Sequence, residues 1–171
     1  MKPLVMRPII VSALLCLAIT AGLAAGQTSK YGVKVDAEKN VDFSKFKTYS
    51  WVAGQPSADK TINSQITAAV DRELAGLGMT QAAAGSGDVS VTYYSLTRTD
   101  VDLKAKTDAK GISPQYTVGS LMVALLEKGT GRRLLRLRAD KKISAEPAKL
   151  EAAINEAVTE MFQKYPTRTQ K

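Results

Sequence analysis

The chain has 171 residues and a formal net charge of +8, from 24 basic and 16 acidic side chains, with one cysteine and no histidine. This is the length of one ordinary domain, and 44% hydrophobic with 23% charged residues is typical of a globular protein. The absence of histidine excludes Ser-His-Asp triads, Cys-His pairs and imidazole zinc sites. The composition therefore removes the common catalytic designs without naming a function.

The first 26 residues have the order of a secretory signal peptide. Lys2 and Arg7 give a positive start, a long uncharged and mostly apolar stretch follows, and small residues close it. We expect cleavage after Ala25 or Gly26, which leaves no stable transmembrane span in the mature chain. The alternative is a signal that is retained as a membrane anchor, since its apolar length is close to that of a bilayer span.

The single cysteine, Cys16, lies within this signal. A lipoprotein signal places a small residue directly before the lipidated cysteine, whereas Leu15 stands there in this sequence. We therefore expect no lipid anchor at Cys16. Removal of the signal also removes the only thiol, which excludes disulfides and thiolate chemistry from the mature chain. The expected location is the periplasm or the cell envelope.

The mature chain, residues 27–171, is predicted to be a single α+β domain. Alternating or β-branched runs predict five strands, and apolar residues spaced three and four apart predict two helices. The strands are predicted over 31–36, 48–52, 88–96, 116–127 and 132–140, and the helices over 62–77 and 150–165. This order predicts a mostly antiparallel sheet of about five strands with two helices packed on one face. The other face is then solvated, covered by a loop, or used for binding.

A polar loop of 18 residues is predicted between the third and fourth strands, over residues 98–115. Loops of this length in a small domain are usually functional or mobile. Asp100, Asp102 and Asp108 offer oxygen atoms of the kind that calcium prefers. Lysines interleave these acids and the spacing is loose, so a solvated loop is the favoured interpretation and no metal site is predicted.

The last predicted hairpin holds most of the positive charge of the mature chain. Residues 127–142 contain seven basic and two acidic side chains, against 22 basic and 16 acidic in the whole of residues 27–171. Strand alternation places Arg132, Arg136 and Arg138 on one face and Arg133 on the other. Together with Lys128 in the turn, the first three form a predicted anion-binding stripe. The alternative is an edge strand whose charges keep it unpaired.

The second predicted strand supplies a possible aromatic platform for a ligand. Tyr49 and Trp51 are two residues apart and therefore share one face of that strand. Aromatic residues in such a position belong either to the hydrophobic core or to a ligand-binding surface, and the core is the commoner case. No catalytic residue is predicted here or elsewhere in the chain.

The run 41–51, VDFSKFKTYSW, resembles the opening signature of a family of exported bacterial proteins catalogued as domain of unknown function 4136. Segments 66–77, 88–93 and 119–132 are similar to later family segments in the same order, with 157–166 at the close. The resemblance covers about residues 31–166. It implies an envelope location, and many members are lipoproteins, but it implies no activity, cofactor or catalytic residue.

Taken together, these features predict an exported envelope protein that binds rather than catalyses and needs no cofactor. The basic hairpin is expected to contact an anionic lipid, lipopolysaccharide or an acidic envelope protein. Nucleic acid fits the charge but not an exported protein. Two other interpretations stay open: an assembly protein that pairs a sheet edge with a partner, and a histidine-free hydrolase that uses two carboxylates.

Overall fold

The structure is a computed structural model that describes residues 29–144 and 146–169, so the predicted signal peptide and Cys16 lie outside the described residues. A sheet and two long helices make up the fold, with a 3-10 turn at Phe43–Lys45 and a short α3 at Pro166–Thr169. The strands are β1 Lys34–Ala37, β2 Thr48–Trp51, β3 Thr80–Gln81, β4 Val89–Val101, β5 Gln115–Glu127 and β6 Arg133–Lys142, and the long helices are α1 Lys60–Gly76 and α2 Pro147–Gln163.

The strands form one six-stranded sheet in the order β1-β6-β5-β4-β2-β3. The pairs β1–β6, β6–β5 and β5–β4 are antiparallel, whereas β2 runs parallel to both β3 and β4. The α+β class is confirmed, with one more strand than predicted and a mixed rather than antiparallel edge. The parallel pairing follows from connectivity, because α1 provides the crossover that parallel neighbours require. β3 was missed because two residues show no periodicity.

Helix α1 begins where Asp59 caps it. The Asp59 carboxylate accepts hydrogen bonds from the backbone N–H groups of Thr61 and Ile62 at 2.8 and 3.2 Å, which satisfies two donors that a helix start leaves free. The helix therefore starts slightly earlier than its apolar stripe. The stripe is buried as predicted, through Ile66, Ala69, Val70 and Leu74.

Helix α2 begins at Pro147 and packs beside α1 on the same face of the sheet. Proline suits the first helical position because its missing N–H would have no partner there. The buried side of α2 consists of Ile154, Ala157, Val158, Met161 and Phe162. These side chains join the inward residues of β4, β5 and β6 in one hydrophobic core, whose fully buried members include Val91, Val123, Leu125, Leu135 and Leu137.

A β-bulge in β6 changes which side chains share a face. Leu125 lies opposite Leu135, but Leu126 lies opposite Arg133, so Leu134 is an extra residue in β6. Leu134 and Leu135 are both buried in the core. The bulge therefore places Arg133 on the same face as Arg136, which corrects the prediction from strict alternation.

The predicted loop 98–115 is shorter than expected. Residues 98–101 continue β4 and Gln115 begins β5, which leaves residues 102–114 as the connecting segment. Arg98 lies opposite Val118 and Thr99 opposite Thr117 in the antiparallel ladder. The polar side chains suggested a loop, but the cross-strand backbone hydrogen bonds extend the hairpin through them.

Candidate functional site

The helices cover one side of the sheet, and the opposite side, called the open face below, carries the charged side chains. Cross-strand registers define its members, since residues directly opposite one another in neighbouring strands share a face. Six basic residues lie on it, Lys34, Arg98, Arg133, Arg136, Arg138 and Lys142, with three acidic ones, Asp36, Asp100 and Asp140. The open face is therefore formally positive by three charges.

Asp36 of β1 is shared by two arginines of β6. Its carboxylate lies 2.9 Å from the Arg133 guanidinium and 3.3 Å from that of Arg136. All three side chains are about half exposed, so each contact is screened by water and contributes little stability by itself. One negative charge held between two positive ones leaves a local excess of positive charge that points to solvent.

Asp140 of β6 is the second shared carboxylate. Arg138 donates to it at 2.9 Å, Ser120 of β5 donates at 2.5 Å, and the Arg98 guanidinium of β4 lies 3.7 Å away. Burial alone would raise the pKa of Asp140, but the hydrogen bonds from Arg138 and Ser120 outweigh it and hold that pKa below its ordinary value. Asp140 is thus ionised at neutral pH and again serves two arginines.

The predicted anion-binding residues separate into two groups. Arg136 and Arg138 lie together on the open face, opposite Ala124 and half-buried Met122 of the adjacent strand. Arg132 instead lies in the hairpin turn, where its guanidinium contacts the Glu127 carboxylate at 3.1 Å and that of Glu38 at 3.8 Å. The structure therefore brings only two of the stripe arginines to one surface.

Lys128 lies in the same turn as Arg132. Its ammonium group donates to the backbone oxygen of Ser86 at 3.3 Å, which fastens the turn to the segment before β4. Two residues that sequence reasoning did not include, Arg98 and Arg133, join the open face instead. The alternative interpretation of β6 as an edge strand is wrong, because β6 is paired with β1 on one side and β5 on the other.

Tyr49 and Trp51 lie on the helix side of β2, where both reach the same carboxylate. The Tyr49 hydroxyl donates to Asp71 of α1 at 2.7 Å and the Trp51 indole N–H donates to it at 2.9 Å. Burial, then the hydrogen bond and charge of Asp71, raise the pKa of Tyr49. The Tyr49 ring is buried and Trp51 packs edge-on against Tyr93, so the pair attaches β2 to α1 and leaves no open platform at Tyr49.

The acidic residues considered for calcium are engaged in turns. Asp102 accepts from the backbone N–H groups of Lys104 and Ala105, and Asp108 accepts from those of Lys110 and Ile112. Within the described residues 29–144 and 146–169, the structure contains no group of three or more acidic, histidine or cysteine side chains arranged to hold a metal ion. These carboxylates organise the connecting segment.

A small apolar cavity of about 110 Å³ lies between α2 and the sheet. Its lining includes Leu121 and Ile143 on the sheet side, Leu150 and Ile154 on α2, and Gly119. A Cβ atom at Gly119 would lie 2.9 Å from a side-chain methyl group of Ile143, so a larger residue would require Ile143 to move. Neither an aspartate nor a glutamate is among the described residues that line the cavity.

The fold and the surface define a class of protein: an α+β domain with a six-stranded mixed sheet, two helices on one face and a charged open face on the other. The model of the family described as "Domain of unknown function (DUF4136)" matches residues 33–167. The chain belongs to this DUF4136 family, which confirms the resemblance found in the sequence. No curated protein sequence matches the chain.

Solved structures share the fold at low identity. A DUF4136 family protein from Bacteroides thetaiotaomicron matches with a TM-score of 0.56 and 16% identity, over 84% of this chain and 100% of that one. A PDZ domain protein from Parabacteroides distasonis matches at 0.58 and 16%, over 80% of this chain but only 35% of that one. PelC from Paraburkholderia phytofirmans, solved as a dodecamer, matches at 0.50 and 10%, over 75% and 94%. At these identities the matches establish the fold alone.

A helix that spans a membrane needs about 20 consecutive, mostly apolar residues. Among residues 29–144 and 146–169, no helix meets this requirement of length and apolar character. The signal-peptide pattern and the question of an anchor fall on residues 1–26, which the structure does not describe.

Proposed function

We propose that this protein is an exported, non-catalytic domain of the cell envelope that binds the phosphate groups of anionic lipids through its open face. Lipopolysaccharide and anionic phospholipids both carry such groups. The signal-peptide pattern of residues 1–26 supports export, and a charged face that extends over several strands of the sheet suits a broad lipid surface better than a small substrate. The binding residues are Arg133, Arg136 and Arg138, helped by Arg98.

The observation that carries the proposal is the sharing of carboxylates on the open face. Asp36 serves Arg133 and Arg136, and Asp140 serves Arg98 and Arg138. The Arg133–Arg136 pair thus keeps unused N–H donors and one uncompensated charge, whereas Arg98 also binds Asp100 at 3.0 Å, which balances the charges around Asp140. Guanidinium groups bind phosphate through paired N–H donors. The carboxylates hold the arginines in place while the excess charge remains available to a ligand.

Vesicle co-sedimentation at low salt tests this proposal. We expect wild-type protein to bind vesicles that contain phosphatidylglycerol or lipopolysaccharide and to dissociate as salt rises. The triple variant Arg133→Gln, Arg136→Gln, Arg138→Gln should bind at least about tenfold more weakly, since each basic residue near an anionic surface contributes about 1 kcal/mol.

A control variant with the same change in net charge distinguishes binding at the open face from nonspecific attraction by the positive charge of the whole protein. Lys60, Lys149 and Lys164 are exposed on the helix side, and replacing all three with glutamine should leave binding nearly unchanged. An equal loss of vesicle binding in the two triple variants would show that the binding is nonspecific electrostatic attraction and would contradict a site on the open face. If the protein binds an acidic protein but not vesicles, the ligand of the open face is a protein and the proposed lipid binding is wrong.

The proposed location has its own test. The mass of protein purified from its natural host should lack the first 25 or 26 residues and carry no lipid. A mass that includes residues 1–26 would indicate a retained anchor, and an added lipid on Cys16 would indicate a lipoprotein. Either result would change how the open face is presented to the membrane.

Sheet-edge pairing is a second candidate, favoured by the outer edge of β4. Pairing of β4 with β2 ends at Val91, and an isolated bridge joins Tyr94 to Gln55. From Leu96 to Val101, β4 is paired with β5 only, and its other edge meets no strand of the described chain. Such an edge can accept a strand from a partner. Light scattering that shows a stable oligomer, lost when Thr99 is replaced with proline, would support this candidate.

A further inference from the structure

Large apolar side chains are exposed at the end of the β4–β5 hairpin. Leu103 is 84% exposed, Ile112 55% and Val101 46%, and Leu96 nearer the sheet is 50% exposed. The other exposed large apolar residues of the described chain, Val35 and Val52, are less exposed, at 37% and 36%. Exposed apolar side chains that are concentrated on one projection indicate an interaction surface, whereas scattered single ones do not.

The hairpin projects beyond the rest of the sheet. Beyond the Arg98–Val118 pair, β4 and β5 are hydrogen-bonded to each other through three further pairs, ending at Val101 and Gln115. β6 ends opposite Val118, and β2 ends far earlier. Three residues of strand extend about 10 Å, before the length of the connecting segment is added. The hairpin tip, residues 101–112, can therefore reach a surface that the body of the domain does not touch.

The hairpin tip is organised rather than open chain. Besides the turns that Asp102 and Asp108 hold, the Asp108 N–H donates to the backbone oxygen of Ile112 at 2.9 Å. Gly111 has a φ of 77°, a left-handed conformation that glycine adopts without strain. These contacts fix Leu103 and Ile112 near the end of the hairpin, so little ordering is needed when they contact a partner.

Lysines accompany the apolar residues of the tip. Lys104, Lys106 and Lys110 are exposed, and none of them has an ion pair among the residues that the structure describes. The two nearby acids, Asp102 and Asp108, are directed at backbone N–H groups of the tip itself. Apolar side chains surrounded by free cations match the two parts of an anionic bilayer interface, acyl chains below and phosphates above.

We propose that the hairpin tip inserts into the interface of an anionic lipid bilayer. Leu103 and Ile112 enter the acyl boundary, and Lys104, Lys106 and Lys110 contact the phosphates. The open face is continuous with the tip, since Arg98 and Lys142 lie in the row at the base of the hairpin. The inference extends the proposed lipid binding to a second, separate set of residues, and its insertion step can be tested independently.

Tryptophan substitution reports insertion directly. Leu103→Trp places an indole at the tip, and Val35→Trp places one on β1 as a control away from the tip. With vesicles of phosphatidylcholine and phosphatidylglycerol, we expect the Leu103→Trp emission to shift to the blue and to be quenched by brominated acyl chains. The Val35→Trp variant should show neither change, apart from the background of Trp51 that both proteins share.

Charge and polarity variants measure the contribution of the tip to affinity. Leu103→Asp with Ile112→Asp should weaken binding to the same vesicles by at least about tenfold, because charged groups are excluded from the acyl region. Replacing Lys104, Lys106 and Lys110 with glutamine should weaken binding to anionic vesicles by about tenfold or more. All of these residues are exposed, so circular dichroism and thermal unfolding should match the wild type.

Two results would overturn the inference. One is a Leu103→Trp spectrum that vesicles do not alter, and the other is loss of a concentration-dependent dimer in the Leu103→Asp, Ile112→Asp variant without an effect on vesicles. The arginine variants of the open face keep the proposals distinguishable. If the tip still inserts in those variants, the result supports membrane insertion and contradicts lipid binding by the open face. If vesicle binding needs the arginines and the tip does not insert, the result supports the open face and contradicts the insertion.

Discussion

Arg98 of β4 and Asp140 of β6 approach to 3.7 Å across the strand that separates them. Ser120 of that intervening strand, β5, accepts a hydrogen bond from Arg98 at 3.2 Å and donates one to Asp140 at 2.5 Å. Three consecutive strands are therefore joined through side chains on the open face. The Asp140 carboxylate, which also binds Arg138, is the group on which this network depends.

Asp140→Asn should destabilise the protein by about 1–2 kcal/mol, because the hydrogen bonds from Arg138 and Ser120 lose their ionised acceptor. The folded-state pKa of Asp140 lies below its ordinary value. Its contribution is therefore fully present above the unfolded pKa and disappears as the pH falls through the folded pKa. Urea unfolding should show a difference from the wild type at pH 7 that shrinks in acid.

Glu151→Gln is the matched control for that experiment. Glu151 is exposed on α2 and has no polar side-chain contact among the described residues, so its neutralisation should change the unfolding free energy little at any pH. An Asp140→Asn effect that is constant from neutral to acid pH would contradict ionisation as the source of the stability.

Asp71 joins β2 to α1 by accepting from both Tyr49 and Trp51. Asp71→Ala removes both hydrogen bonds and should cost about 2–3 kcal/mol of unfolding free energy. The chain has one tryptophan, so a change in its emission maximum reports the loss locally. Asp71→Asn keeps an acceptor oxygen and should recover part of the loss. Equal destabilisation by alanine and asparagine would mean that the carboxylate charge, rather than its acceptor geometry, matters.

Asp36→Asn separates folding from binding on the open face. Asp36 and its two arginines are about half exposed, so the change should alter stability by less than about 1 kcal/mol. It also frees the Arg133 and Arg136 guanidiniums, which should strengthen binding to anionic vesicles at low salt. Glu151→Gln makes the same charge change on the helix side and should have little effect. Weaker binding by Asp36→Asn would show that holding the two arginines in place matters more for binding than the positive charge that Asp36 offsets.

Periodic features of the sequence predict the body of the fold. The stripe that includes Ile66 and Leu74 in α1 and the stripe that includes Ile154 and Phe162 in α2 are buried as their spacing requires. A helix repeats its inward positions every three or four residues, and each of these stripes is long enough to show it. The long hairpin is equally visible, because its two arms are adjacent in the chain.

Features held by single contacts could not be predicted in this way. Backbone hydrogen bonds from Thr80 to Lys47 and from Ala82 to Tyr49 place the two-residue β3 beside β2, and no side-chain pattern records them. The face of Arg133 depends on one bulged residue, Leu134. The network of Arg98 and Asp140 joins strands that are not neighbours in the sheet. Composition showed that the positive charge is concentrated in the hairpin, but it did not identify which carboxylates pair with which arginines.

Tyr165 follows α2 and is buried, but its hydroxyl has no hydrogen-bond partner among the described residues. Burial raises the pKa of Tyr165 to about 12. The ring stacks on Phe162 and meets Phe43 edge-on, and phenylalanine would keep both contacts. An unsatisfied buried hydroxyl costs about 1–3 kcal/mol, so Tyr165→Phe should stabilise the protein by about 1 kcal/mol in urea unfolding.

Tyr31→Phe is the matched comparison, since the Tyr31 hydroxyl donates to the Glu156 carboxylate at 2.6 Å. Hydrogen bonds to charged groups contribute about 1.5–3 kcal/mol. Because the Glu156 side chain is half exposed, removing the Tyr31 hydroxyl should destabilise the protein by the lower end of that range, about 1.5 kcal/mol. The same chemical change at two buried tyrosines is therefore expected to have opposite signs. Destabilisation by Tyr165→Phe would mean that its hydroxyl binds an acceptor, such as an enclosed water molecule, whose hydrogen bond exceeds the cost of burial.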